Sequence, residues 1–195
     1  MQDVQKVVRQ CQEGQLNAFT TLFNHYKCYV YDLACTILRD STGAEDVVQD
    51  TFLTIFQKID GFKNDAKFET WLTTIVVNQC RMRLRKQKIR HFLPLEQLSP
   101  YRLLRLSERQ PDIVELVHEQ QCRQTLWDMV DKLPERLRLP MILRYRYALS
   151  CNDIAMMLNR RISSIYQQLN EGRRFLEQTQ QQEDEIVATL TEPAS

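Results

Sequence analysis

Apolar residues recur every three or four positions along most of this chain, and runs that alternate apolar with polar are nearly absent. That is the pattern of amphipathic helices. It predicts a short helix over residues 3–12, with Val4, Val7, Val8 and Cys11 on one side. A longer helix follows from Asn17 to Leu38, where Ala18, Leu22, Tyr26, Val30, Leu33 and Ile37 step by three or four. Arg39-Asp40-Ser41 breaks that stripe. Thr42-Gly43-Ala44-Glu45 has the form of a capping box, with Thr42 as N-cap and Glu45 reaching back. The helix it opens has Ala44, Val47, Val48, Thr51, Phe52, Ile55, Phe56 and Ile59 on one face and Asp46, Gln49, Asp50 and Leu53 on the other. An acidic stripe is ordinarily a solvated face. A lone leucine beside paired aspartates also suits docking on a basic, partly apolar partner surface.

Asp60-Gly61-Phe62-Lys63-Asn64-Asp65-Ala66 is a turn-forming loop that leads into a helix over Phe68–Arg90. The first half of that helix is apolar and aromatic, with Phe68, Trp71, Leu72, Ile75 and Val76 at helical spacing; the second carries Arg81, Arg83, Arg85, Lys86, Lys88 and Arg90. On a period of about 3.6 residues, Trp71, Thr74, Asn78, Arg81 and Arg85 fall along one face. An aromatic ring, an amide and two guanidiniums in line can hold a phosphate backbone and touch bases. The plainer alternative is a solvated basic helix end favoured by the helix dipole. Trp71 stays open between a core role and stacking on a base.

From His91 to Pro111 the helical stripe stops and Pro94, Pro100 and Pro111 punctuate the chain. This is read as an extended linker, apolar enough to lie along another surface. A second helical unit is expected from Asp112, with Ile113, Leu116, Val117, Leu126, Val130 and Leu133 as core candidates. A helix restarts at Pro134 and carries Leu137, Met141, Ile142 and Tyr145 inward, and Pro140 should kink it or shift its start. Ser150 with Asp153 forms another capping box. A short helix to Leu158, the turn Asn159-Arg160-Arg161 and a helix over Ile162–Leu176 have helix-turn-helix spacing. Ala155 is small enough for a close crossing, Asn159 tolerates left-handed backbone, and Ile165 would plug the corner. The tail from Glu177 is Gln-rich and acidic and is expected to be disordered.

Four glycines and six prolines in 195 residues support an all-α chain of two small helical domains joined by a linker. The net charge of +1 matters less than its distribution. Residues 39–60 hold five acids against two bases, 63–90 hold eight bases against two acids, and 177–195 hold five acids and no base. Such segregation fits more than one kind of partner. The six cysteines are scattered singly, without a CxxC pair, and read as reduced thiols of a cytosolic protein. His25, Cys28 and Cys35 would share a helix face but lack a fourth ligand for zinc, so no metal and no cofactor are expected. No apolar run nears the ~20 residues of a membrane span. A metal-dependent nuclease would need a carboxylate cluster that Glu45, Asp46 and Asp50 do not form with other residues.

The segments AFTTLFNHYKCYVYDLACTILRD, AEDVVQDTFLTIFQKIDGFKNDAKFETWLTTIVVNQCRMRLRK and LPERLRLPMILRYRYALSCNDIAMMLNRRISSIYQQLNEGRRFLE resemble bacterial sigma factors of the sigma-70 family. The likeness is to the small group-four, extracytoplasmic-function (ECF) type, which keeps only regions two and four. It implies region two at 1–90, a linker at 91–111, region four at 112–177 and an acidic tail at 178–195. It implies a protein without catalysis that binds core RNA polymerase and promoter DNA, acts in the cytoplasm at the nucleoid, and does not insert in a membrane. Asp46, Gln49, Asp50 and Leu53 would contact the polymerase. The loop at Phe62–Lys67 would capture a flipped base of the minus-ten element, so Phe62, Asn64, Lys67, Trp71, Asn78, Arg81, Arg85 and Lys88 would bind that DNA. The carboxy-terminal helix would read the minus-thirty-five element through Arg160, Arg161, Ser163, Ser164, Tyr166, Gln167, Asn170, Arg173 and Arg174. The chain departs from the family there: Asn159 replaces the usual turn glycine, and Tyr166, Gln168 and Glu171 stand at commonly basic positions. Gln167 and Asn170 carry amides suited to adenine. Family members are commonly held inactive by an anti-sigma partner. The alternative is a stand-alone helix-turn-helix regulator, which would give the acidic stripe and the aromatic-basic helix no role.

Overall fold

The computed structural model describes residues 4–63, 67–92 and 126–191, with side chains described up to 87 and up to 181 in the latter two spans. Every regular element among them is helical. The chain divides into two compact units, Met1–Pro94 and Leu95–Ser195.

The first unit is built on α2 (Leu16–Leu38), which packs against α1 (Val4–Gln12), α3 (Ser41–Lys58) and α4 (Phe68–Phe92). Its apolar stripe is buried along its whole length, with Val30, Leu33 and Ala34 fully enclosed. Val47 and Ile55 of α3 and Leu72, Val76 and Val77 of α4 close the core from the other side. Burying each side chain of this size stabilises the fold by roughly 1.5–3 kcal/mol. The α3 stripe is less uniform than its pattern predicts, for Phe56 is 57% exposed.

The start of α3 also departs from expectation. The N-cap is Asp40, not Thr42, and α3 begins at Ser41. Asp40 folds its carboxylate over the first turn, where a Cβ on Gly43 would lie 2.7 Å from Oδ2. Asp40 is the N-cap by its extended backbone and makes no side-chain capping hydrogen bond, and Gly43 makes the room for its carboxylate.

Between α3 and α4 the chain makes a 3-10 turn, Ile59–Gly61. Gln12, at the end of α1, donates from Nε2 to the carbonyls of Ile59 and Phe62, both at 2.9 Å. The Ile59 carbonyl also accepts the Phe62 N–H at 3.0 Å, so the Gln12 amide adds a second bond there and pins the turn to the end of α1. Two tyrosines of α2 latch α4 in place. Tyr26 donates to Glu69 Oε1 at 2.7 Å, and the Tyr29 hydroxyl lies 2.7 Å from Thr73 Oγ1. Burial, reinforced by the Glu69 carboxylate, raises the Tyr26 hydroxyl above its usual range, so it stays protonated.

The second unit begins, among the described residues, with helix α5 (126–132), followed by α6 (Glu135–Met141), a π turn (Ile142–Arg146), α7 (Cys151–Leu158) and α8 (Ile162–Thr191). Its core holds Leu137, Ile142, Leu143, Ile154, Ile165 and Leu169. Leu126 is 45% exposed and is not a core residue, while Ile113, Leu116 and Val117 lie outside the described residues. Pro140 removes an N–H from α6, and the chain then widens into the π turn. That extra residue per turn rotates the register. Leu143 turns inward, and Tyr145, expected inside, is 50% exposed. Ala148 follows with a left-handed φ of 52°. The last helix runs on to Thr191, past Leu176, so the segment expected to be disordered is helical that far. Its Gln, Glu, Ala and Leu residues favour helix, and no glycine or proline interrupts 173–191. Most of 91–111 and all of 112–125 lie outside the described residues.

Candidate docking and nucleic-acid interfaces

The α3 stripe stands on the surface of the first unit. Gln49, Asp50 and Leu53 are exposed, Leu53 by 60%, and Asp46 is half-buried. Arg83 of α4 reaches across to it, with its guanidinium 2.8 Å from Asp46 Oδ2 and 3.9 Å from Asp50 Oδ2. The cationic half of α4 and the acidic face of α3 are therefore tied together. Beside the stripe lies an apolar groove lined by Phe19 and Phe23 of α2 and by Phe52, Leu53 and Phe56 of α3. The rings pair across it, Phe19 with Phe56 at 5.0 Å and Phe23 with Phe52 at 4.7 Å. Partly exposed aromatic rings beside acids form an apolar centre with a charged rim. Pattern reasoning placed Phe56 in the core and passed over the α2 rings. The signal was there in two i, i+4 aromatic pairs, each one residue off its helix's buried stripe.

The DNA-facing candidates of α4 divide. Asn78 and Arg85 are exposed, and Thr74 and Arg81 are half-buried, all along the face that the spacing marks out. Lys67 is exposed just before the helix. Trp71 is half-buried, its ring 5.0 Å from Phe62 and 5.7 Å from Phe68. It belongs to an aromatic cluster and keeps one accessible side. Phe62 is 7% exposed at the centre of that cluster and is a core residue, so its ring is not presented to a base. Asn64 and the side chain of Lys88 lie outside the described residues.

In the second unit the turn between α7 and α8 has the local chemistry that helix-turn-helix spacing requires. Ser150 caps α7 by accepting from the Asp153 N–H at 3.1 Å, and its hydroxyl donates to Asp153 Oδ2 at 2.6 Å. Asn159 ends α7 in left-handed conformation, φ 51° and ψ 55°. Ile165 is fully buried and Ala155 is 7% exposed. This anchoring leaves Arg160, Arg161, Ser163, Tyr166, Gln167, Asn170, Arg173 and Arg174 exposed and Ser164 half-buried. The two amides already have partners. Gln167 Nε2 donates to Glu171 Oε1 at 3.0 Å, and Arg173 donates to Asn170 Oδ1 at 2.6 Å.

Among the described residues no three His, Cys, Asp or Glu side chains gather as metal ligands, and no helix is long and apolar enough to cross a membrane. His25 stacks edge-on against Tyr26, and Cys28 stands exposed. Burial pushes the Cys11 thiol up to about 11 and the Cys80 thiol to about 12, which keeps both protonated and unreactive near neutrality.

The family model for sigma-70 region 2 matches residues 22–89, the stretch that holds the acidic stripe, most of the groove and nearly all of the cationic helix. The ECF RNA polymerase sigma factor SigW of Bacillus subtilis is 29% identical over 89% of this chain and 94% of its own length. The ECF RNA polymerase sigma factor SigM of Mycobacterium tuberculosis is 37% identical over a shorter span, 45% of this chain and 44% of its own. The solved structure of the sigma factor RpoE from Bartonella quintana, in complex with the anti-sigma factor NepR, superposes with a TM-score of 0.58 at 21% identity. It covers 84% of this chain and 96% of that one, and shows the shared fold. Relatives that span both units give the stand-alone regulator no support. The chain thus carries a sigma-70 region 2 and is similar along nearly its whole length to extracytoplasmic-function RNA polymerase sigma factors.

Proposed function

We propose that this chain binds core RNA polymerase through the α2–α3 face and opens promoter DNA along α4, while α8 reads the upstream element. The observation that carries this reading is the adjacency, within one small unit, of two unlike surfaces. An apolar groove edged by Gln49, Asp50 and Leu53 suits a basic, amphipathic helical partner. The α4 face of Asn78, Arg81 and Arg85 suits a single strand. Extruding and holding a base costs a few kcal/mol, which cations along the strand's path offset.

On this reading region two spans 1–90, the linker 91–111 and region four 112–177. The chain performs no catalysis of its own: the polymerase makes the bonds, and this subunit selects and opens the template. It works in the cytoplasm at the nucleoid. An anti-sigma partner, of the kind RpoE has in its solved complex, would compete for the same surfaces. In vitro transcription with purified core polymerase on a promoter library tests the proposal. Initiation from a defined set of templates is expected, and failure on every template would overturn it.

A further inference from the structure

Glu171 is the member of the candidate recognition helix that this function leaves without a role. It stands among residues expected to face a polyanion, where a carboxylate repels phosphates. Its two oxygens nevertheless have definite partners. Oε2 lies 2.9 Å from Arg136 of α6, and Oε1 accepts from Gln167 Nε2, one turn earlier, at 3.0 Å. The first contact depends on how closely α8 crosses α6, while the second is an i, i+4 pair within α8 itself. A Cβ on Gly172 would come within 3.0 Å of Met141 Cγ and Sδ, so the two helices meet at a glycine next to Glu171. The Arg136 side chain is 62% exposed and that of Glu171 is 33% exposed. An ion pair so open to solvent adds little stability. What it fixes is direction.

We infer that Arg136 and Glu171 are positioning residues that set base preference at one position of the upstream element by orienting the amide of Gln167. The inference rests on the reading of α8 as the helix that enters the major groove. A carboxylate only accepts, so the nitrogen of the Gln167 amide must turn toward Glu171. One Nε2 hydrogen is thereby committed. The other, together with Oε1, remains for the groove as one donor beside one acceptor. That pair matches N7 and N6 of adenine. A side chain held in this way also loses less rotamer freedom on binding than a free glutamine does. Asn170 is held separately by Arg173, so the two amides can be tested apart.

The test is selection from a template library with a randomised upstream element, using holoenzyme assembled from the full chain and core polymerase. Wild type should enrich adenine at one position that Gln167→Ala abolishes. Glu171→Ala should reduce that same enrichment by about fivefold or more, the low end of what a bidentate amide–base contact discriminates. It should also tighten overall DNA binding, because a negative charge is gone. Arg136→Ala should lower the enrichment at this position alone, and Arg136→Lys should restore most of it. If Glu171→Ala tightens binding evenly and leaves the adenine preference intact, Glu171 contributes only its charge and the inference falls. Loss of selectivity at every position in Arg136→Ala would also overturn it, since the pair would then be merely structural. A wild-type holoenzyme that initiates without any upstream preference would refute the reading of α8 itself, and the inference with it.

Discussion

Asn159 carries a backbone conformation that most side chains resist. At φ 51° and ψ 55° it ends α7, and its N–H is 3.2 Å from the Met156 carbonyl. Left-handed backbone costs an ordinary L-residue roughly 1–2 kcal/mol, and asparagine less because its short amide bonds locally. Asn159→Ala should therefore destabilise the second unit by about 1 kcal/mol, while Asn159→Gly should stay within a few tenths. Urea unfolding midpoints decide it, and an alanine variant as stable as wild type would mean that the turn is not left-handed in solution. Cys80 bears on stability in a different way. Its thiol is fully enclosed between helices, and burial, opposed in part by the Arg83 charge, raises it from 9.0 to about 12. The folded form holds its proton where the unfolded chain gives it up. Its contribution is complete below about pH 9 and is lost as pH rises toward about 12, on the order of 4 kcal/mol in all. Cys11 acts in the same direction over a narrower window, from 9.0 to about 11. Thermal unfolding compared at about pH 8 and about pH 10.5 should show a smaller alkaline drop for Cys80→Ala than for wild type. Equal drops in the two proteins would exclude this origin.

At the level of elements, what periodicity encodes was legible and what register changes encode was not. The buried stripe of α2, the Ser150–Asp153 cap, the Asn159 turn and the Ile165 plug all follow from spacing and local chemistry. The α3 cap was misplaced because two capping residue types, Asp40 and Thr42, lie two apart, and the extended backbone falls at Asp40, which makes no side-chain capping bond. Tyr145 was misplaced because Pro140 is followed by a π turn, whose longer period no count of about 3.6 anticipates. The groove was hidden because Phe52 and Phe56 step by four as the core stripe does but sit one residue off it, paired with Phe23 and Phe19 of α2 at the surface. The close crossing at Gly172 is of the same kind, since it depends on Met141 from a distant stretch. Gly172→Ala should push a methyl into Met141 and cost about 1–3 kcal/mol. Shortening the neighbour in Gly172→Ala/Met141→Ala should recover part of that loss. A double variant whose destabilisation is simply the sum of the single ones would show that the two sites do not touch.

Taken as a whole, the chain sorts its charge into surfaces rather than a net value. The formal total is only +1, while acids gather on α3 and bases on α4 of the same small unit. Arg83, 2.8 Å from Asp46, marks the seam between them. If the two surfaces serve different partners, damage to one should spare the other. Leu53→Asp places a charge on the lip of the apolar groove, where burial against a partner would leave it unpaired. Such a change costs several kcal/mol at a desolvated contact, enough to lower core-polymerase affinity by roughly a hundredfold or more. Asn78→Ala with Arg85→Ala removes exposed groups from α4, so core binding should persist while promoter opening is lost. Raising the salt should weaken promoter binding less in that second variant than in wild type, because a phosphate contact is missing. Co-purification with core polymerase, read beside permanganate reactivity of unpaired thymines, separates the two effects. The division fails if the α4 variant also loses the polymerase, or if Leu53→Asp still assembles a holoenzyme that opens DNA at wild-type level. In either case the α2–α3 face and α4 would form one continuous contact surface, and the Arg83 pair would then join two parts of a single site.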